Sequence, residues 1–262
     1  MRLDVYLQQR GLADSRERAK RLILSGDVTV DGVAVTKPAF DVVGTPEVTV
    51  SVPRFVGRGG EKLEGALQLF EIDPAGKSAI DIGASTGGFT DCLLQHGAAS
   101  VVAVDAGFGQ LHPMLRNDPR VRNIEKYNAR ELSAADVGRA ELAVMDVSFI
   151  SQTYILPRIP DVVPKGGLLI SLIKPQFEAG RGALNKQGVV REVKDRIFAV
   201  SRVLTAAGEV GLYCVGLAPS PILGGDGNEE FLACFRVQEE PVSNGHILIE
   251  KTVREKVVMK IK

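Results

Sequence analysis

The sequence predicts an α/β protein, a doubly wound Rossmann-like sheet preceded by a small α+β module. Beyond residue 61, apolar β-branched runs alternate with stretches of helical length. One of these runs, Ser78-Ala-Ile-Asp81-Ile, enters a glycine-rich turn, Gly83-Ala-Ser85-Thr86-Gly87-Gly88, that opens a helix. Residues 1–53 show a different pattern, two short helical periods followed by a hairpin signal.

With 262 residues, the chain suits one medium and one small domain. Hydrophobic residues make up 45% and charged residues 24%, enough apolar matter to bury a real core. The formal net charge of zero excludes a uniformly basic nucleic-acid coat, so charge must act through local patches. Cys92, Cys214 and Cys234 fall singly inside apolar segments, without the paired spacing of a zinc site or a disulfide framework, which predicts free thiols in a reducing compartment. Met1-Arg-Leu-Asp4 puts charge where a secretory signal needs an apolar stretch, and no run approaches the roughly 18 apolar residues of a membrane span. The expectation is a cytoplasmic protein without a membrane contact.

In the N-terminal module, residues 4–10 and 15–24 have helical periodicity, and Ser15 stands at an N-cap position ahead of Arg16-Glu-Arg18-Ala-Lys20-Arg21. Val28-Thr-Val30-Asp31-Gly32-Val-Ala-Val35 alternates around an Asp-Gly turn, and residues 48–52 supply one more short strand. Residues 1–60 carry nine basic against seven acidic residues, with the excess on the second helix. By composition that helix is equally a solvated amphipathic face. Arg2-Leu-Asp4-Val-Tyr-Leu, Ser15-Arg16 and Ser25-Gly26-Asp-Val-Thr-Val30-Asp31-Gly32, however, resemble the RNA-binding domain named after the fourth protein of the small ribosomal subunit. The resemblance implies that this module docks on structured RNA through Arg2, Arg16, Arg18, Lys20 and Arg21.

Pro53-Arg-Phe-Val-Gly57-Arg58-Gly59-Gly60 breaks the pattern and reads as a linker over residues 54–60. The predicted strands of the larger domain, 61–262, are 78–82, 100–104, 121–126, 141–146, 167–173 and 211–217. Two later runs, 230–237 and 245–250, leave no room for a helix between them, so at least one antiparallel strand is expected to complete the sheet.

In a doubly wound sheet the first strand-to-helix turn is where the backbone meets a ligand. Asp81, Gly83, Ser85, Thr86, Gly87 and Gly88 are therefore candidate cofactor contacts. Asp105 ends the next strand 22 residues after Gly83, the place of an acid that holds ribose hydroxyls. The turn is neither the G-x-G-x-x-G of dinucleotide enzymes nor a phosphate loop. An acid ahead of the glycines repels a pyrophosphate but suits a cationic amino-acid ligand, which points to S-adenosylmethionine. Asn128 and Arg130, after the third strand, are candidates to border its adenine.

Asp146 ends the fourth strand and Lys174 the fifth, so both project at the sheet edge that carries the glycine turn. A lysine beside an acid, behind a proline-stiffened turn, suits proton removal. Lys62 opens the helix after the linker, and Glu230 stands where the last strand begins; singly, each reads as a solvated charge. Arg58-Gly-Gly60-Glu-Lys62-Leu, the Asp81 glycine turn, Met145-Asp146-Val-Ser-Phe, Ile173-Lys174-Pro175-Gln176-Phe177-Glu178 and Gly227-Asn228-Glu229-Glu230-Phe231 together resemble the TlyA family, within the wider FtsJ-like ribose 2′-O-methyltransferases. The resemblance covers nearly the whole chain.

It implies a methyltransferase sheet over 61–262 and a catalytic tetrad of Lys62, Asp146, Lys174 and Glu230, the last match depending on register because Glu229 adjoins it. It also implies methyl transfer from S-adenosylmethionine to a cytidine 2′-hydroxyl, with ribosomal RNA or ribosomal subunits as partner and no metal. By family analogy, a form with so short an N-terminus acts on the large subunit. Segment 179–190 reads equally as a lid over RNA or an ordinary loop, and the basic tail 251–262 as an amphipathic end or a backbone contact. His96, His112 and His246 form no ligand pattern. Three rival readings carry over: a non-catalytic RNA-binding assembly factor, a hemolysin-like membrane-active protein, and a nicotinamide oxidoreductase, against which the glycine spacing speaks.

Overall fold

The computed structural model describes every residue except 52, 226, 239–244, 257 and 261–262. The chain divides into two compact units, Met1–Arg54 and Phe55–Lys262.

In the first unit, α1 (Leu3–Gln9) and α2 (Arg16–Ser25) pack on a three-stranded antiparallel sheet of β1 (Val28–Val30), β2 (Val33–Ala34) and β3 (Val48–Val50), in the order β2-β1-β3. Leu3 and Leu7 on α1, and Ala19, Leu22 and Ile23 on α2, recur at helical spacing and form its core with Val28 and Val30. Ser15 Oγ accepts the Arg18 amide at 3.2 Å, and Gly26 ends α2 in the left-handed region. Asp31 (φ 49°) and Gly32 (φ 77°) both take positive φ, the geometry of a two-residue hairpin turn.

The basic residues of this unit are less free than their sequence implies. Asp4 is fully buried and accepts from Arg2 Nε (3.0 Å), Arg2 Nη2 (3.0 Å) and Arg16 Nε (2.9 Å). Lys20 pairs with Glu17 at 2.7 Å, and Arg18 lies 4.0 Å from Asp14. Arg2 and Arg16 thus hold the fold together, although each side chain stays about half exposed to a ligand. The Arg2 hydrogen bonds, opposed by burial and helped by Arg16, keep the Asp4 carboxyl well below the usual carboxylate range. A lowered pKa contributes stability that is complete above the unfolded value near ~3.9 and disappears as pH falls through the folded value. Asp4→Asn is therefore expected to lose about 1–3 kcal/mol at neutral pH and to flatten the acid side of the stability profile below about pH 4. Chemical denaturation across pH checks both.

The second unit opens with α3 (Gly59–Phe70), then β4 (Ser78–Ile82), α4 (Gly88–Gln95), β5 (Ser100–Val104), α5 (Pro113–Arg116), β6 (Val121–Ile124), α6 (Ala134–Val137) and β7 (Leu142–Met145). It continues through α7 (Ile159–Val162), β8 (Leu168–Ile173), α8 (Pro175–Glu178), α9 (Val193–Gly208), β9 (Leu212–Pro219), β10 (Phe231–Val237), α10 (Gly245–Glu255) and β11 (Met259–Lys260). The sheet runs β11-β9-β10-β8-β7-β4-β5-β6. Strands β4 to β8 are mutually parallel, while β10 is antiparallel to both β8 and β9. This is the Rossmann-like methyltransferase sheet that the sequence predicts. Strand order reverses at β4 and β7, which puts the ligand crevice beyond their carboxyl ends.

Alternate side chains fill two apolar layers. Ile80, Ile82, Ala143, Met145, Leu169 and Ile173 face the side of α9 and α10, whereas Ala79, Val101, Leu142, Val144, Ile170 and Leu172 face α3 and α4. From Phe55 onward the segment expected as a linker is packed onto this unit. Phe55 is buried at 4% exposure, the Val56 amide donates to Asp91 Oδ2 at 2.8 Å, and Gly59 and Gly60 already belong to α3.

One expected strand is a helix: residues 245–250 begin α10. Ile249 and Val253, four apart, are buried with Thr252 on one face, and a six-residue apolar window is too short to separate that period from a strand. The connection 239–244 lies outside the described residues. The basic tail beyond α10 contributes β11 against β9, with Lys256 on Glu229 at 3.1 Å.

Candidate active site

The first turn shows why its residue types are needed. Gly83 has φ 87°, and a Cβ there would sit 2.7 Å from the carbonyl oxygen of Asp146. Only glycine lets the β4 turn pass so close to the end of β7. At Gly88 the close neighbour is the backbone of α3, 2.9 Å from the position of a Cβ, and Gly87 faces Leu111 and Leu115. Gly87 therefore serves packing, whereas Gly83, Ser85, Thr86 and Gly88 line a cavity of about 500 Å³.

Asp105 lies where the spacing placed it, in the wall of an adjoining cavity of about 380 Å³ with Gln110, Tyr127 and Asn128. Its Oδ2 accepts the Ser85 amide at 2.7 Å and its Oδ1 the Gly107 amide at 2.6 Å. A carboxylate has about four acceptor directions, so two remain for a vicinal diol. Gly83, Ser85, Asp146, Ser148 and Phe149 border both cavities, so the two adjoin along a common wall.

Besides Gly87, two more expected cofactor contacts lie outside both cavities. Asp81 is fully buried and lines neither cavity, because strand alternation turns it, like Ala79, toward α4, where Thr90 Oγ1 donates to its Oδ2 at 2.7 Å. Burial pushes its pKa up to about 7. It acts under the glycine turn, by tying β4 to α4. Arg130 stands outside the 380 Å³ cavity with its guanidinium over the Tyr154 ring, 4.8 Å from the centroid, while Asn128 is in the wall and caps the Arg130 amide at 3.1 Å.

Lys62, Asp146, Lys174 and Glu230 all line the 500 Å³ cavity. They arrive from four elements: Lys62 from the first turn of α3, Asp146 and Lys174 from just beyond β7 and β8, and Glu230 from just before β10. The side chains form two ion pairs. Lys62 Nζ donates to Glu230 Oε2 at 2.6 Å, with both side chains under a tenth exposed. Lys174 Nζ sits 2.6 Å from Asp146 Oδ1, a contact of charges rather than an aligned hydrogen bond, and donates to Ser148 Oγ at 2.8 Å. Of the two adjacent glutamates, Glu230 faces Lys62, whereas Glu229 points to Lys256 and Arg196.

Several residues of the cleft escaped the sequence reading. Ser148 and Gln176 complete the two ion pairs, Gln176 Nε2 reaching Glu230 Oε1 at 3.3 Å. Each lies two residues after a charged strand end, Asp146 and Lys174, and that spacing is the only signal available. Phe149 is 92% exposed, holds φ at 65° and packs tilted against Phe177 with the ring centroids 5.3 Å apart. A strained, exposed aromatic at a cleft mouth marks function more than packing. Leu184 and Gly188 bring segment 179–190, expected as either a lid or an ordinary loop, into the same cavity wall. Among the described residues no group of three or more His, Cys, Asp or Glu is placed to hold a metal ion. Cys214 and Cys234 are free thiols that burial pushes up to about 12, hence unreactive ones.

Comparison with known proteins agrees with this architecture. Residues 55–237 match the sequence model of the FtsJ-like methyltransferases and residues 1–45 that of the S4 domain. The chain is 44% identical over 243 residues to the 16S/23S rRNA (cytidine-2′-O)-methyltransferase TlyA of Mycobacterium tuberculosis, covering 91% of each protein. It is 43% identical over 242 residues to Hemolysin A of Brachyspira hyodysenteriae, covering 90% of this chain and 99% of that one. A solved candidate hemolysin from Streptococcus thermophilus superposes with a TM-score of 0.78 at 40% identity, over 98% of this chain and 95% of the other. Two ion pairs in one cleft, a methyltransferase sheet and near full-length identity above 40% lead to one assignment: the chain belongs to the TlyA family of FtsJ-like methyltransferases with an N-terminal S4 domain.

Proposed function

We propose that this protein transfers the methyl group of S-adenosylmethionine to the 2′-hydroxyl of cytidines in ribosomal RNA. The observation that carries the reading is the convergence of Lys62, Asp146, Lys174 and Glu230 on one cavity, adjoining a second whose wall holds the free acceptor directions of Asp105. The relatives named as rRNA (cytidine-2′-O)-methyltransferases support the acceptor class. The cofactor supplies an electrophilic methyl carbon on a sulfonium sulfur. Asp105 suits its ribose diol, and the apolar Val147, Ile150 and Ile155 suit a flat base.

Lys174 is placed to take the hydroxyl proton, for which its Nζ must first release a proton from the Asp146 ion pair to solvent, while the bound cofactor would supply the methyl carbon to the oxygen. Asp146 and Ser148 fix the direction of its Nζ, and Asp146 balances the ammonium that results. Lys62, held by Glu230, which in turn accepts from Gln176, positions the ribose. Phe149 offers an open aromatic face to the target base. Arg18 and Arg21, with the exposed halves of Arg2, Arg16 and Lys20, contribute RNA affinity from the S4 domain, and the protein works in the cytoplasm, where ribosomes assemble.

Asp105→Ala is expected to weaken cofactor binding about 10- to 100-fold, because two backbone amides and the diol lose a charged acceptor; isothermal titration checks it, and unchanged affinity contradicts the assignment. The test of the function is incubation with cofactor and each isolated ribosomal subunit, followed by nucleoside analysis. The expected product is 2′-O-methylcytidine, whereas base methylation or no product contradicts the reading. The hemolysin name of some relatives favours a membrane-active alternative, yet no helix of the described residues is long and apolar enough to cross a membrane. Potent leakage from liposomes at nanomolar protein, without RNA methylation, would establish that alternative.

A further inference from the structure

Residues 184–190 form a wall of the catalytic cavity through Leu184 and Gly188. The segment closes on itself: Leu184 and Val190 form a β-bridge, and Asn185 Oδ1 accepts from the Gln187 and Val189 amides at 2.9 and 2.8 Å. Val190, 1% exposed, and a long 3.5 Å bond from Arg196 Nη1 to the Val190 carbonyl hold its end, and one further side chain holds both Val190 and Gly188. Asn228 is 1% exposed, and both ends of its amide are committed to this segment. Its Oδ1 accepts the Val190 amide at 3.0 Å and its Nδ2 donates to the Gly188 carbonyl at 3.1 Å. These bonds bridge 38 and 40 residues of chain. Glu229 and Glu230, the next two residues, reach respectively to Lys256 and Lys62, so three consecutive side chains secure three different parts of the unit.

We propose that Asn228 is a positioning residue that fixes residues 184–190 as a static wall of the acceptor pocket, where a swinging lid would otherwise be expected. The proposal rests on the reading of the 500 Å³ cavity as the ribose site. A buried amide with donor and acceptor both spent on backbone leaves two unpaired groups when it is removed, so the wall loses its anchor. Neither Asn228 nor any residue of 184–190 borders the adjoining 380 Å³ cavity, so cofactor affinity and acceptor affinity separate in the prediction.

The experiment compares full-length wild type, Asn228→Ala and Asn228→Asp for cofactor Kd, for KM and kcat with ribosomal subunits, and for amide hydrogen exchange over 184–190. In Asn228→Ala the acceptor KM rises about tenfold or more, cofactor Kd stays within about twofold, and the Val190 amide loses protection. Asn228→Asp keeps the acceptor for Val190 but offers no N–H to Gly188, so its KM falls between the two. Unchanged protection in Asn228→Ala overturns the clamp, and lost protection with unchanged KM overturns the role of the wall. An equal rise of Kd and KM identifies general loosening and overturns it as well. Wild-type protein that binds cofactor and methylates no ribosomal RNA defeats the functional reading instead, while the exchange data still decide the clamp.

Discussion

Replacing Lys174 by alanine is expected to lower methyl transfer by about 10²- to 10⁴-fold, the usual contribution of a positioned proton acceptor. Cofactor affinity should stay within about twofold of wild type. The separation follows from placement: Lys174 lines the 500 Å³ cavity and not the adjoining one that contains Asp105, whereas Asp146 lines both. Asp146→Ala is therefore the informative contrast, because it removes the partner of Lys174 and also alters the cofactor wall. Single-turnover rates and calorimetry on the two variants separate chemistry from binding. Equal loss of cofactor affinity in both would mean that Lys174 holds the cofactor and that the proton goes elsewhere.

The largest effect on stability is expected at Lys62. Its pairing with Glu230 is almost entirely enclosed, with the side chains 8% and 3% exposed. Lys62→Ala leaves the Glu230 carboxylate with only the long Gln176 contact, and stranding one member of a buried pair costs about 3–5 kcal/mol. Replacing both, Lys62→Met with Glu230→Leu, removes the stranded charge, and the double variant should regain most of that stability. It should remain inactive, since the ribose loses its polar contacts. Denaturation midpoints of the methyltransferase unit and transfer assays on the three proteins check this. A single variant as stable as wild type would show that water already screens the pair.

Much of this site is legible from strand ends. Asp105, Asp146 and Lys174 each follow an apolar β-branched run whose burial on both faces forces the next polar residue into the crevice. Gly83 is legible for the same reason, as the point where backbone meets backbone. Asp81 misleads because the strand has one residue more to run: period-2 alternation, not proximity to the glycines, decides that it faces α4. Arg130 is two residues from Asn128, yet a short 3₁₀ turn sends it to Tyr154 instead of the cavity. Arg2 and Arg16 read as free cations because their shared partner, Asp4, lies 2 and 12 residues away and its burial is a tertiary fact. Residues 245–250 have the apolar content of a strand, and only the continuation to Val253 reveals a helix. Ser148 and Gln176 leave only their spacing after Asp146 and Lys174 as a signal, and Phe149 and Asn228 act through partners distant in sequence, so nothing local distinguishes those two from ordinary loop residues.

In the proposed reaction the four charged residues of this cleft remove a proton from an RNA ribose. Transfer of labelled methyl from S-adenosylmethionine to isolated ribosomal subunits and to naked ribosomal RNA, with wild type and Lys174→Ala side by side, is the decisive experiment. Label recovered on cytidine ribose with wild type, and lost in the variant at unchanged cofactor affinity, is the result predicted. Label that persists in Lys174→Ala, or that resides on a base, contradicts the account.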